Sequence, residues 1–149
     1  MITFKRGNIF NATEMAIINP VNTVGVSGAG LALAFKNHYP ENYTLYKEAC
    51  SEGRLRIGSA LIHSINGAYA PYYILNVPTK KHWKDESTKE YVKAAIDVIY
   101  QCSVDMNLHS VALPPLGCGL GKLERSDVYP SMIEKYMGTD THFVIYDIG

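Results

Sequence analysis

The sequence predicts an α/β protein in which helices cover both faces of a mixed central sheet, a three-layer α/β/α sandwich. Three observations carry that prediction. Strand-like and helix-like runs alternate along the 149 residues, the order that builds layered α/β folds. The length suits one core and is short for two, so residues 1–149 are expected to form one domain. With 47% hydrophobic and 19% charged residues and no long single-sign run, the chain has the composition of a globular protein rather than a disordered one.

The elements follow in order. Ile2 to Lys5 alternates apolar and polar residues, and Met15 to Ile18 is a short apolar run expected to break at Asn19-Pro20. Gly25, Gly28 and Gly30 mark a loop, after which Leu31-Ala32-Leu33-Ala34-Phe35 resumes as helix. The stretch GLALAFKNHYPENYTLYKEACSEG holds two helical segments split before Pro40, with Gly53 as the stop. SALIHSI and YYILNVP read as a hairpin, with Asn66-Gly67 as the turn signal. In STKEYVKAAIDVIYQCSVD, the spacing of Tyr91, Val92, Ala95, Ile96 and Ile99 predicts a helix capped by Ser87 or Thr88, with Glu90 near its third position. SVALPPL and HFVIYDI are the last two strands. Between them ERSDVYPSMIEKYM reads as a helix, with Pro130 expected near its start and Ser126 or Asp127 capping upstream.

Composition excludes several functions. The 14 basic and 14 acidic side chains cancel, which argues against a protein that holds nucleic acid chiefly by neutralising phosphates, though it leaves room for a local basic patch. Cys50, Cys102 and Cys118 are odd in number and lack paired metal-ligand spacing, so they read as free thiols in a reducing cytoplasm. No apolar run approaches the ~18 residues of a membrane span, and the first ten residues lack the apolar stretch of a signal peptide. The sequons at Asn11 and Asn42 therefore read as chance. His63, His109 and His142 fall in or beside strands, and His38 reads as exposed. No metal and no cofactor are expected.

Three polar or glycine-bearing segments each follow an apolar strand: NPVNTVGVSGAG, PTKKHW and LGCGLGK. Ligands of open α/β sheets sit outside the carboxyl ends of strands, so the three could line one cleft. A dinucleotide fold does not fit, because the third glycine of its fingerprint would fall at Leu33 and its acidic residue inside a helix. A Walker loop does not fit either, since no G-K-[ST] occurs. In GCGLGK the alternation of Gly117, Gly119 and Gly121 leaves amides free to face a pyrophosphate. A plain strand-to-helix turn around a buried Cys118 is the competing reading.

The runs GNIFNATEMAIINPVNTVGVSGAGLALAFK, NVPTKKHWK and PPLGCGLG resemble a macrodomain, an ADP-ribose-binding fold. More narrowly they are similar to the macrodomain of the DNA ADP-ribosyl glycohydrolase antitoxins (DarG), which reverse ADP-ribosylation of thymidine in DNA and are related to terminal ADP-ribose glycohydrolases. The resemblance runs from about Phe4 to Tyr146. It implies a macrodomain-like mixed sheet and an ADP-ribose site. Asn8 would stand where many macrodomains have an aspartate facing the adenine amine, with Ile9 beside it. Asn19, Asn22 and Thr23 would lie near the distal ribose, and Gly28, Ala29, Gly30 and Leu31 at the diphosphate. Gly117, Cys118, Gly119, Leu120 and Gly121 would lie across from them. Tyr146 would pack on the adenine, with core packing as the competing reading.

Lys80 matches the lysine implicated in catalysis in those relatives. The residues make an independent case: a lysine just past a buried strand, flanked by Lys81 and near Trp83, loses solvation and feels a second cation, both of which depress its pKa. It could attack the aldehyde of a ring-opened ribose as an amine or, as an ammonium, stabilise a departing group. The sequence leaves both open, and solvated surface lysines are the ordinary alternative. The eukaryotic relative carries an aspartate directly after G-C-G-L where this chain has Gly121. Glu124 and Asp127 are the nearest acids and read as helix-start charges, so a two-carboxylate glycosidase is not indicated. Lys81, His82, Trp83 and Lys84 combine cations with an aromatic ring, as single-strand binders do.

The resemblance thus implies a lysine-dependent ADP-ribosyl glycohydrolase that removes ADP-ribose from thymidine in single-stranded DNA, with ADP-ribose and ADP-ribosylated DNA as partners; a monomer in the cytoplasm is expected. The alternatives are a hydrolase of ADP-ribosylated protein, O-acetyl-ADP-ribose or ADP-ribose phosphate, and a non-catalytic reader.

Overall fold

The computed structural model describes residues 1–148. Six strands form one sheet: β1 (Ile2–Lys5), β2 (Ala16–Val21), β3 (Leu61–Ser64), β4 (Tyr73–Pro78), β5 (Ser110–Leu113) and β6 (His142–Tyr146). Their spatial order is β1-β6-β5-β2-β4-β3. Every pairing is parallel except β3 with β4, so the sheet is mixed as expected and the carboxyl ends of five strands share one edge.

Alternation along the strands splits the core between two faces. Ala16, Ile18, Leu75, Val77, Val111, Leu113, Phe143 and Ile145 pack against α3 (Lys89–Asp105) and α4 (Arg125–Tyr136). Ile17, Ile74, Ala112 and Val144 face the opposite side with Phe35 of α1 (Gly30–His38). Val21 packs there with Tyr46 and Ala49 of α2 (Pro40–Ser51). Helices on both faces complete the three layers. The predicted cap of α3 is Thr88, whose hydroxyl accepts from the Tyr91 amide at 3.1 Å.

Two boundaries differ from the sequence reading. β2 does not break at Asn19-Pro20 but runs on to Val21. The reason is the bonding pattern of parallel strands, where alternate residues face alternate neighbours. The carbonyls of Met15 and Val21 accept from β4 and the residue after it, so Pro20 faces β5. β5 pairs with β2 only at Ala16 and Ile17, so the donor that Pro20 lacks has no rung to fill. Pro20 therefore sits where the two strands have already forked.

The second difference is α4. Pro130 lies inside the helix rather than at its start, because the cap is Glu124. Glu124 and Asp127 form a reciprocal capping box, with the Glu124 amide donating to Asp127 at 3.0 Å. Starting there places Val128, Met132 and Tyr136 on the core side. Tyr136 stacks on Phe143 with ring centroids 3.9 Å apart and donates to the Ile96 carbonyl.

The hairpin is present, but its connection spans residues 65–72 and is closed by the Ile65 amide donating to the Tyr72 carbonyl at 2.7 Å. No helix among the described residues is long and apolar enough to cross a membrane.

Candidate functional site

Because β2, β4 and β5 are adjacent and parallel, the segments that leave their carboxyl ends meet at one edge. These are residues 22–29, 79–88 and 114–124. All three pairs of segments touch. The Thr23 amide and hydroxyl both donate to the Lys81 carbonyl, at 3.0 and 2.8 Å. The Ser87 amide donates to the Gly121 carbonyl at 3.0 Å. Leu120 reaches across to Gly30, the first residue of α1 where the first segment ends, and an added Cβ there would lie 3.1 Å from its Cδ1.

The first segment is shaped by Asn22. Its Oδ1 accepts from the amides of Val24 and Gly25 at 3.1 Å and from the Tyr46 hydroxyl at 2.8 Å, while its Nδ2 donates to the Val26 carbonyl at 2.8 Å. Both ends of the amide are engaged in folding the loop, so Asn22 holds the segment's shape. Gly28, Ala29 and Gly30 are exposed at the start of α1, whose cap position, Ala29, offers no side-chain acceptor to the first-turn amides. Leu31 is half-buried just behind them.

Beneath this segment lies a buried amide cluster. Asn76 of β4 donates to the Leu61 carbonyl at 3.1 Å and to Asn42 Oδ1 at 2.8 Å. A carbonyl can only accept, which fixes Asn76 Nδ2 toward Leu61 and leaves Oδ1 to accept from Asn19 and Asn42, each at 3.0 Å. Asn19 Oδ1 is buried and has no hydrogen-bond partner among the described residues. Asn19 is thus fixed by its neighbours rather than standing open to the cleft.

In the second segment, Lys80 is half-buried and its Nζ donates to the Trp83 carbonyl at 3.2 Å. Burial lowers its pKa, Asp85 partly opposes that, and Lys122 lowers it further. The neighbouring cation is therefore Lys122, from the third segment. Lys81 was the sequence candidate for that role, but its ammonium lies 5.8 Å over the ring of Tyr91. His82 accepts from the Lys84 amide at 3.1 Å and stacks beside Trp83, with centroids 5.5 Å apart. The Lys84 ammonium sits 5.0 Å over the indole.

The third segment departs from the simple picture of three glycines presenting open amides. A Cβ on Gly121 would lie 2.4 Å from Ser87 Oγ and 2.6 Å from the Gly117 carbonyl. One on Gly117, whose φ is +73°, would lie 2.7 Å from Val92 Cγ2. Both glycines are required by close packing on the start of α3. Gly119 alone of the three has open space around it, and Leu120 beside it is 59% exposed. The closeness of Gly121 to Ser87 and Gly117 also explains why this chain has no acidic side chain there. Cys118 is half-buried, its thiol directed at the Leu116 carbonyl at 3.6 Å and pushed up in pKa chiefly by burial.

The segments after β1 and β6 lie along the same edge, toward its β1 end. Asn8 is exposed, and its Oδ1 accepts from the Phe10 amide at 2.9 Å, capping a short turn, Ile9–Asn11. Ile9 is a core residue. Tyr146 is 5% exposed, packs in the same cluster and donates its hydroxyl to Glu14 at 2.5 Å. Beside it, Arg125 makes a two-pronged contact with Asp147 at 2.6 and 2.7 Å, and Tyr129 donates to the same carboxylate.

A concavity of about 870 Å³ lies elsewhere. It is an open groove between α3 and α4, bordered by Asp97, Tyr100, Lys135, Met137 and Thr141. Its central charges pair with each other, Lys135 with Asp97 at 3.5 Å, and it lies at the opposite edge of the sheet from the three segments. Size alone is a poor guide here. The residues that sequence reasoning missed are Asn42, Tyr46, Asn76, Ser87 and Lys122. A signal existed for two of them: Asn76 is a polar residue within an apolar strand, and Lys122 directly follows the last glycine of GCGLG.

Comparison with known proteins gives the family and the fold. The family model described as Macro domain matches residues 18–132. The DNA ADP-ribosyl glycohydrolase of Mycobacterium tuberculosis is 39% identical over 147 residues, 98% of this chain and 42% of the relative. The solved macrodomain of Mycobacterium tuberculosis DarG superposes with a TM-score of 0.94 at 39% identity, covering 98% of this chain and 97% of that one. Thermosipho africanus DarTG in complex with ADP-ribose superposes with a TM-score of 0.90 at 29% identity, covering 98% of this chain and 41% of that one. The chain spans about two fifths of the length of the curated relatives it matches.

Proposed function

The chain belongs to the Macro domain family, and from that membership we propose that it is an ADP-ribosyl glycohydrolase that removes ADP-ribose from thymidine in single-stranded DNA. The observation that carries the reading is the position of Lys80. Its amine is held at the carboxyl edge of the sheet by the Trp83 carbonyl, partly desolvated and near a second cation, Lys122. Relatives named DNA ADP-ribosyl glycohydrolase support the reaction class. The ADP-ribose complex of a similar protein supports the ligand.

A depressed pKa enlarges the neutral fraction of the amine and so favours the nucleophilic role. In that role the distal ribose ring opens while C1″ is still bonded to the thymine nitrogen, and the Lys80 amine adds to C1″. A proton passes from the lysine nitrogen to the thymine nitrogen, the C1″–N bond to thymine breaks, and thymine leaves as its N–H form, giving the imine of Lys80 with the ribose. Water then adds to the imine and releases the aldehyde and the free amine. The glycine-bearing start of α1 and Gly119 of the third segment would face the diphosphate, where unobstructed amides suit anionic oxygens.

The test is release of ADP-ribose from a thymidine-ADP-ribosylated single-stranded oligonucleotide by wild type, Lys80→Ala and Lys80→Arg, with ADP-ribose binding measured on each. Release by wild type alone, with binding kept in all three, is expected. Tight binding with no release by wild type would overturn the hydrolase assignment, and equal release by Lys80→Ala would overturn the role of the lysine.

A further inference from the structure

The chain contains one tryptophan, and the structure puts it next to the candidate reacting group. Trp83 holds Lys80 Nζ through its own carbonyl, yet its indole is 48% exposed. That leaves half of the indole open to a ligand beside the candidate reacting group. The His82 ring lies stacked beside it and the Lys84 ammonium over it. Other exposed apolar side chains on the same edge are Val24 and Val26 in the first segment and Leu120 in the third.

The local charge has the same character. Lys80, Lys81, Lys84 and Lys122 gather here, against Asp85 and Glu86, and Glu86 faces Lys122 at 3.9 Å. In a chain of zero net charge this is a local cationic patch around an aromatic plate. Successive bases stack on aromatic side chains while lysines follow the phosphates, the combination used for single strands without sequence readout.

We propose that Trp83 is the stacking platform for a base flanking the modified nucleotide, with Lys81 and Lys84 on the adjoining phosphates. This rests on the glycohydrolase reading and deepens it. The preferred substrate is then a strand rather than an isolated ADP-ribosyl nucleoside. Selectivity for the strand resides in a segment that also carries the reacting amine.

The single tryptophan supplies its own probe. An unmodified single-stranded dT 12-mer is titrated against the wild-type chain while indole fluorescence is read, at about 50 mM and about 200 mM salt. Saturable quenching is expected, and with two phosphate contacts the affinity falls about sevenfold between the two salts. In parallel, kcat/KM is measured on an ADP-ribosylated oligonucleotide and on ADP-ribosyl thymidine for wild type, Trp83→Ala and Trp83→Phe. The oligonucleotide-to-nucleoside ratio is expected to fall about tenfold in Trp83→Ala and to be largely kept in Trp83→Phe.

Absence of quenching overturns the proposal, as does quenching by an ADP-ribosylated peptide but not by the oligonucleotide. An unchanged ratio with equal losses on both substrates also overturns it, because Trp83 would then serve only to place Lys80. Quenching with no turnover of either substrate by wild type would sink the glycohydrolase reading while leaving the strand platform standing.

Discussion

Replacing Asn76 by leucine gives the sharpest test of how the first segment is supported. The side chain is fully buried and takes part in four hydrogen bonds, donating to Leu61 and Asn42 and accepting from Asn19 and Asn42. Leucine is similar in volume but strands three buried groups: Asn19 Nδ2, Asn42 Nδ2 and Asn42 Oδ1. At about 1–3 kcal/mol for each orphaned group, the loss comes to about 3–9 kcal/mol. That is a large share of the 5–15 kcal/mol that ordinarily separates folded from unfolded chains. Adding Asn42→Leu removes two of the three orphans, so the double variant is expected to be more stable than Asn76→Leu alone, with a coupling of about 2 kcal/mol. Urea unfolding followed by far-ultraviolet circular dichroism measures Asn76→Leu, Asn42→Leu and the double variant. The reasoning fails if Asn76→Leu lies within about 1 kcal/mol of wild type, or if the second substitution deepens the loss.

Three other outcomes are expected. Gly121→Ala, whose methyl meets Ser87 and the Gly117 carbonyl, should cost about 2–3 kcal/mol and lower the melting temperature by about 4–10 °C. Gly119→Ala, with open space around it, should melt within about 2 °C of wild type; similar losses for the two would refute the packing argument. If Lys80 acts as an amine, turnover should rise with pH along a limb centred below the ordinary lysine value. Lys122→Gln, by removing a cation that depresses that amine, should move the limb to higher pH, and a flat profile would rule the amine out. Asp127 is held below the usual carboxylate range by the Glu124 amide and by Lys89 at 3.2 Å. Its contribution to stability is therefore present above about pH 4 and lost as pH falls through the lower folded-state value. Asp127→Asn should flatten the acid limb of stability against pH, and an unaltered limb would show that the capping box does not titrate.

The sequence announced this fold wherever a local period or cap dictated an element. The spacing from Tyr91 to Ile99 and the oxygen of Thr88 specify α3 with no help from the rest of the chain. Pro20 misled because its meaning depends on β5, some ninety residues away, having already left the strand's side. Pro130 misled because the helix starts at the capping box upstream of it, and the core contacts of Val128, Met132 and Tyr136 carry it past the missing bond.

The three site segments could be read from their places after strands, but their wiring could not. Asn42 and Asn76 are 34 residues apart and meet only once α2 is laid on the sheet. Gly121 looked like a phosphate glycine because close packing against Ser87 leaves the same mark in a sequence as an open amide. Lys80 was identified from its neighbours in the chain, whereas the cation that acts on it, Lys122, arrives from another strand's loop.

The three pairwise contacts among the segments, Thr23 with Lys81, Ser87 with Gly121 and Gly30 with Leu120, close into a triangle. For recombination among relatives, that makes the three segments one inheritance unit. A chimera that imports a single loop breaks two sides of the triangle at once, while one that imports all three carries its own joinery. Transplanting the carboxyl-edge loops between family members is therefore expected to succeed as a set and to fail singly, even where each loop alone matches in length.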